Sequence, residues 1–261
     1  MGSCFGEEMH VRMKALGMDS NANPFGVIFH PHALKNNCAL IENAASRSLF
    51  ENHIQPADFF EYQGIFHSLQ HANKFQHPQS SALYEAVFEA AHQAYHQLKL
   101  AQFIGITLGT AWIYWHKPSQ QPVGNCHKLP QQDFEKSLSK QIDVQTQILG
   151  IINHLRHINP TAQLVFTVSP VRHLRDGVSE NLLSKSTLIS ALHEVWSTDQ
   201  IPAMENTHYF PAYDIVREEL NDWNYYRDDK MHPSEEAIDI VFKRFYNAFF
   251  ATNDSTFSAE L

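Results

Sequence analysis

Short apolar runs alternate with longer stretches of helical periodicity along most of this chain. The residues Phe25–Phe29, Phe103–Leu108 and Leu164–Val168 form short runs rich in β-branched or aromatic side chains and closed by Gly or Pro chemistry, as strands are. Thr207–Phe210, stopped by Pro211, is a weaker fourth. Between them Leu138, Ile142, Leu149, Ile152 and Leu155 recur on one helical face before Asn159-Pro160 ends the helix. Residues 80–98 carry a similar stripe of Leu83, Val87, Ala90, Ala91, Ala94 and Leu98. A third runs over 234–250 through Ala237, Ile238, Val241, Phe242, Phe245 and Phe249. This order predicts an α/β fold, a parallel sheet with crossover helices.

No internal repeat or linker interrupts the pattern, so a single domain over 1–251 is expected, followed by a frayed tail at 252–261. A helical and loop insertion is expected around 36–100, with the polar, histidine-rich stretch 67–80 as its loop.

Composition narrows the class. A length of 261 residues at 43% hydrophobic content suffices for one sizeable core. Nineteen basic against 28 acidic residues leave a net charge of −9, which gives no general attraction to nucleic acid or an anionic membrane surface. No basic stretch leads into an apolar run at the N-terminus, and no apolar window is long enough for a membrane helix, so a soluble cytoplasmic protein is expected. Cys4, Cys38 and Cys126 are too few and scattered for a disulfide framework or a cysteine zinc site, and are expected as reduced thiols. The seventeen histidines are dispersed, and pairs such as His30/His32, His92/His96 and His154/His157 lack converging acids, so no metal is expected.

Two segments at opposite ends carry candidate chemistry. Gly2-Ser3-Cys4-Phe5 is a small-residue turn entering a helix, where a serine hydroxyl can be exposed beside free amides; on these residues alone such a serine is more often an exposed helix cap than a nucleophile. Asp229-Lys230-Met231-His232-Pro233-Ser234 places an acid and a histidine three apart before the last helix. That spacing lets Asp229 hold one ring nitrogen of His232 while the other takes a proton from a hydroxyl; the bland reading is a capped turn with a solvated histidine.

Together with Gly6, the opening resembles the signature of the GSCFA family, a branch of the SGNH/GDSL hydrolases. Asn23-Pro24-Phe25-Gly26, Leu108-Gly109-Thr110-Ala111-Trp112, Gly124-Asn125-Cys126-His127-Lys128, Val168-Ser169-Pro170-Val171-Arg172-His173, Ser184-Lys185-Ser186 and Asp229-x-x-His232-Pro233 resemble its blocks in the same order. The resemblance implies a flavodoxin-like α/β/α sandwich with Ser3 as nucleophile and Asp229 and His232 completing a triad that needs no cofactor. It does not imply a known substrate; an ester of a small molecule or carbohydrate is expected, hydrolysed or transferred, and the oligomeric state stays open.

The wider superfamily holds the oxyanion with the serine amide, a glycine amide after the second strand and an asparagine after the third. Here the third block reads Gly109-Thr110-Ala111, without asparagine, so the expected oxyanion donors are the Ser3 amide, Gly26 and Asn125. Gly26 reads equally as a tight turn and Asn125 as a loop residue. Arg172 follows a strand end, where it can meet an acidic substrate group or lie in solvent. A thiolate at Cys4 or at Cys126 beside His127 is the rival nucleophile, and a non-catalytic carbohydrate or metabolite binder is the rival function. Because no residues precede the Ser3 turn to form the strand behind it, that first strand is expected to be missing and the natural start to lie upstream of Met1.

Overall fold

A computed structural model describes residues 1–197 and 204–251; the expected tail at 252–261 lies outside the described residues. Helix α1 (Cys4–Ala15) opens the chain, followed by α2 (Pro31–Asn43), α3 (Arg47–His53), the short antiparallel strands β1 (Phe60–Tyr62), β2 (Ile65–His67) and β3 (Gln76–His77), and α4 (Ser80–Leu100). Next come β4 (Phe103–Leu108), a three-stranded antiparallel unit of β5 (Trp112–His116), β6 (Gln121–Val123) and β7 (Phe134–Leu138), and α5 (Gln141–Ile158). The chain closes with β8 (Gln163–Val168), α6 (Val178–Ser197), β9 (Thr207–Tyr209), the short turn α7 (Ala212–Asp214) and α8 (Glu235–Phe249).

Strands β4, β8 and β9 make the parallel sheet, in that order. Side chains alternate across it as the pleat requires. Ile104, Ile106 and Leu108 join Leu164, Phe166 and Val168 in a core with α2, α5 and α6. Val165 and Phe103 turn the other way, onto α1 and α8. Apolar contact on both faces explains why these strands read as continuous hydrophobic runs rather than alternating ones. The predicted strands at 103–108, 164–168 and 207–210 and the helices at 80–98 and 234–250 are therefore present within a residue or two.

Two predicted elements differ. Leu138 is the last residue of β7, paired with Trp112, so the chain stays extended until Lys140 caps α5. The helix begins three residues later than the predicted stripe, and its buried face is Val144, Ile148, Ile151, Ile152, Leu155 and Ile158, leaving Ile142 exposed. The segment 25–29 is buried at Phe25 and Ile28 but is not a strand. Left-handed backbone at Asn23 and Gly26 turns the run, and at Gly26 a Cβ would lie 2.4 Å from that of Ala72, so only glycine fits. Backbone bonds of this segment go to Gly2, whose carbonyl accepts the Ile28 amide at 2.9 Å, and to the turn after β4, where the Gly109 and Thr110 amides donate to the Phe29 carbonyl. On its other side Gly2 pairs in parallel with Thr107 of β4, and the Thr107 amide donates to the Met1 carbonyl at 2.8 Å.

The 36–100 region builds a cluster of its own from α2, α3 and α4, including Ile41, Phe50, Leu83, Val87 and Phe88. Its histidine-rich stretch is less polar in place than in sequence: His67, Ser68 and His71 are buried. His71 stacks on Phe25 at 4.3 Å, its Nδ1 meets Ser68 Oγ at 2.7 Å, and His127 Nε2 donates to the carbonyls of Ser68 and His71. At the edge where the parallel strands begin, the Asn159 amide donates to the carbonyls of Leu98 and Ala101, and its Oδ1 accepts from the amides of Thr161 and Ala162. No described helix is long and apolar enough to cross a membrane.

Candidate active site

Ser3 occupies the N-cap position of α1 with extended backbone, yet its side chain makes no capping bond. It is 1% exposed. Its hydroxyl donates to Thr107 Oγ1 at 3.0 Å, and its amide is shared between Thr107 Oγ1 at 2.7 Å and the Thr107 carbonyl at 3.0 Å. The serine is thus held by the next-to-last residue of β4 at the carboxyl end of the sheet, where ligands collect in open α/β folds. An exposed capping serine, the alternative that sequence left open, is not what the structure contains.

Asp229 and His232 form a compact surface turn. The Asp229 Oδ2 accepts from His232 Nδ1 at 2.6 Å, while Oδ1 accepts the amides of Met231 and His232 at 2.8 and 2.9 Å. The His232 amide, the ring and the Met231 amide together pull the Asp229 carboxyl down to about 2, so it is charged at neutral pH. With Nδ1 donating, the tautomer leaves Nε2 as the acceptor; Nε2 has no hydrogen-bond partner among the described residues.

Both halves lie at one edge of the sheet. The Arg172 amide, four residues beyond β8, donates to the Met231 carbonyl at 2.9 Å and so fastens the acid–histidine turn to a strand end. Arg227, whose amide closes the same turn on the His232 carbonyl, reaches Glu8 of α1 and Glu235 of α8, and Arg12 joins Glu8, Glu235 and Asp239. No hydrogen bond joins Ser3 to His232 among the described residues. The two described cavities, one lined by residues such as Glu51 and Glu85 and the other by residues such as His67 and His127, reach neither Ser3 nor His232.

The expected oxyanion donors are placed as follows. The Ser3 amide is committed to Thr107, and the Gly26 amide donates to the Asn23 carbonyl at 2.7 Å. Asn125 uses its Oδ1 to accept the His127 amide at 2.8 Å, and its own amide donates to the Leu69 carbonyl. Gly26 and Asn125 flank the same buried loop, since the Ala72 amide donates to the Phe25 carbonyl. Arg172 lays its guanidinium over Trp223 at 5.1 Å and Tyr226 at 5.4 Å and meets the Lys230 carbonyl at 3.4 Å.

The cysteines are ill placed for nucleophilic work. Burial pushes the Cys4 thiol up and that of Cys126 to about 11, so both are protonated at neutral pH. His154 and His157 share Glu42 through their Nδ1 atoms, at 2.6 and 3.0 Å, but no group of three or more His, Cys, Asp or Glu side chains among the described residues is placed to hold a metal ion.

A model of the GSCFA family matches residues 1–245, nearly the whole chain. The chain belongs to the GSCFA family. No curated protein matches it. With this GSCFA member's geometry in view, three residues stand out that sequence reasoning left without a role. Thr107 holds the serine; a threonine inside a strand gives no signal of that. Asn23 accepts the Gly2 amide at 2.8 Å and donates to Glu7, which steadies the turn before Ser3. Lys185 is fully buried and donates to two main-chain carbonyls. Its position was readable, because α6 buries Asn181, Ser184, Lys185, Leu188, Ala191, Leu192 and Val195, a stripe with a lysine in its middle.

Proposed function

We propose that this protein is a serine esterase, deacylase or O-acyltransferase on an SGNH-like α/β/α scaffold, acting on an ester of a small molecule or carbohydrate. The observation that carries the reading is the Asp229–His232 pair, formed at 2.6 Å with Nε2 unpartnered among the described residues, at the same sheet edge as a buried serine whose side chain makes no capping bond. In the reaction His232 Nε2 takes the Ser3 hydroxyl proton as Oγ attacks the ester carbonyl. The tetrahedral intermediate collapses, the alcohol leaves with the proton from His232, and an acyl-serine remains. Water or a second alcohol, deprotonated by His232, releases the acyl group and restores Ser3.

Ser3 must move toward His232, and the oxyanion donors, assigned to the Ser3 and Gly26 amides and the Asn125 side chain, must trade their present partners for substrate. Arg172, already among aromatic rings, suits an anionic group on that substrate. The three free thiols fit a reducing cytosol.

The second reading is a binding protein that has lost catalysis, favoured by the Gly109-Thr110-Ala111 block and by the closure of Ser3 against Thr107. A fluorophosphonate decides between them. We expect a covalent adduct at Ser3, mapped by peptide mass spectrometry, that is lost in Ser3→Ala and His232→Ala and kept in Cys4→Ser. An adduct that survives Ser3→Ala removes the serine mechanism, and no adduct on the wild type favours the binding protein.

A further inference from the structure

The buried ammonium of Lys185 lies where the two halves of the candidate site meet. Its Nζ donates to the Gly109 carbonyl at 2.7 Å, just past β4, and to the Ser169 carbonyl at 2.7 Å, just past β8. Strand β4 holds Ser3 through Thr107, and the loop after β8 holds the Asp229–His232 turn through the Arg172 amide. The preceding residue of α6 completes the attachment: Ser184 Oγ accepts the Ala111 amide at 2.8 Å and meets Thr110 Oγ1 at 2.9 Å. Gly109 itself is pressed against Phe29, with its amide on the Phe29 carbonyl, so this turn has little room to drift.

We propose that Lys185 is a positioning residue of the acyl-transfer site, its ammonium tying the strand end that carries Ser3 to the strand end that carries the His232 turn. This rests on the serine-ester reading for its catalytic meaning, though the tie itself does not. A lysine is costly at such a place, since a fully buried cation loses its hydration. Among the described residues it makes no ion pair. The chemistry that repays the burial is the pair of carbonyls, whose unpaired lone pairs would otherwise face an apolar interior. A methionine of similar length would fill the space and leave both carbonyls unmet.

The charge on Lys185 is also adjustable. Burial pulls its ammonium from 10.5 down to about 7, against the two carbonyls that hold the proton on. The titratable groups facing it from the elements packed around it are Cys4 of α1 and Tyr213 of α7, whose ring lies 5.7 Å from Nζ; burial raises both. Both are uncharged at neutral pH; a Cys4 thiolate, formed only at higher pH, holds the proton on Lys185 against its burial. The folded chain holds fewer protons here than the unfolded chain between about pH 7 and 10.5, so this group makes global stability rise with pH across that window. The tie weakens over the same window, and local order at the sheet edge moves opposite to global stability.

The test uses the full chain as wild type, Lys185→Met and Lys185→Arg, with two readouts: the rate of fluorophosphonate labelling at Ser3 and the hydrogen-exchange protection of the Arg172 amide, with α5 amides as internal reference. We expect Lys185→Met to slow labelling about 10- to 100-fold and to lower Arg172 protection at least tenfold while α5 is unchanged, and Lys185→Arg to recover part of both. In the wild type, Arg172 protection should fall between pH 6 and pH 9 relative to α5, and labelling should show an alkaline decline that Lys185→Met lacks. If Lys185→Met does not fold, the wild-type pH comparison decides. Protection at Arg172 unchanged in the variant, or by pH in the wild type, overturns the tie even if Ser3 labels normally. Protection that falls as expected while no form labels at Ser3 keeps the tie and removes the serine-ester reading.

Discussion

Ser3 is buried with its amide and hydroxyl both committed to one strand residue, whereas Asp229 and His232, each with a side chain 38% exposed, close a surface turn on a single carboxylate. Ser3 is placed by the fold: Thr107 is 104 residues away, and the contact exists only once β4 is in the sheet. The Asp229–His232 bond is closed within four residues, and the Arg172 amide then fastens the finished turn to a strand end. A site assembled this way has one end that depends on global stability and another that forms locally, so perturbations should separate them.

The largest separation is expected from His232→Ala. It should lower hydrolysis of a short p-nitrophenyl ester by about 10²–10⁴-fold, the range for a lost general base, while the melting temperature stays unchanged because the side chain packs little. A melting shift in proportion to the activity loss would mean that the turn is structural. Asp229→Asn should follow at about 10²-fold or more, since the amide no longer fixes the tautomer.

Acid should then pull the two regions apart. Burial holds His30 and His71 down to about 3, so both are neutral in the folded chain and bind protons on unfolding below about 6.5. Their contribution to stability is therefore full above 6.5 and falls as pH drops toward 3, by on the order of 4 kcal/mol for each histidine. The Asp229 turn keeps its charge down to about 2. Urea midpoints at pH 7 and pH 4 should show the loss of global stability, while the chemical shift of the Asp229 carboxyl carbon stays constant over that range. A constant urea midpoint would show that the buried histidines are protonated in the fold.

Two smaller effects sharpen the picture on the nucleophile side. Asn125→Ala should reduce turnover by about 10² with little change in KM, as a donor used in the transition state does. A change confined to KM would make Asn125 a binding residue. Thr107→Val keeps the strand shape and removes the hydroxyl that Ser3 uses; about tenfold slower labelling and a loss of about 1–2 kcal/mol are expected. Unaltered labelling would show that the β4 main chain alone places the serine.

This contrast also explains what the sequence revealed. Asp229 and His232 were legible because their interaction is local, and β4 and β8 because burial on both faces leaves an unbroken apolar run. The segment 25–29 has the same composition but spends its backbone on Gly2 and on the amides of Gly109 and Thr110, partners that no periodicity reveals. Leu138 was assigned to a helix because a leucine three or four residues before another apolar position fits either period until its partner Trp112 is known. Thr107 was invisible for the same reason. Lys185 was visible in its block and in its stripe, but a lysine on an apolar face carries no label saying which carbonyls it will meet.

Asn159 gathers the end of α4, the end of α5 and the turn into β8 onto one neutral side chain. Nothing in that group titrates, and its bonds are between dipoles that salt screens little. The strand starts are held by this amide and by the Arg156 guanidinium, which donates to the Ala162 carbonyl and to Thr207 Oγ1, while the strand ends are tied by the Lys185 ammonium, whose burial brings its titration near neutral pH. Of the two margins, the one carrying Ser3 and the Asp229–His232 turn is therefore the one whose order responds to protonation, and under the proposed mechanism it is the margin at which the two residues would have to meet.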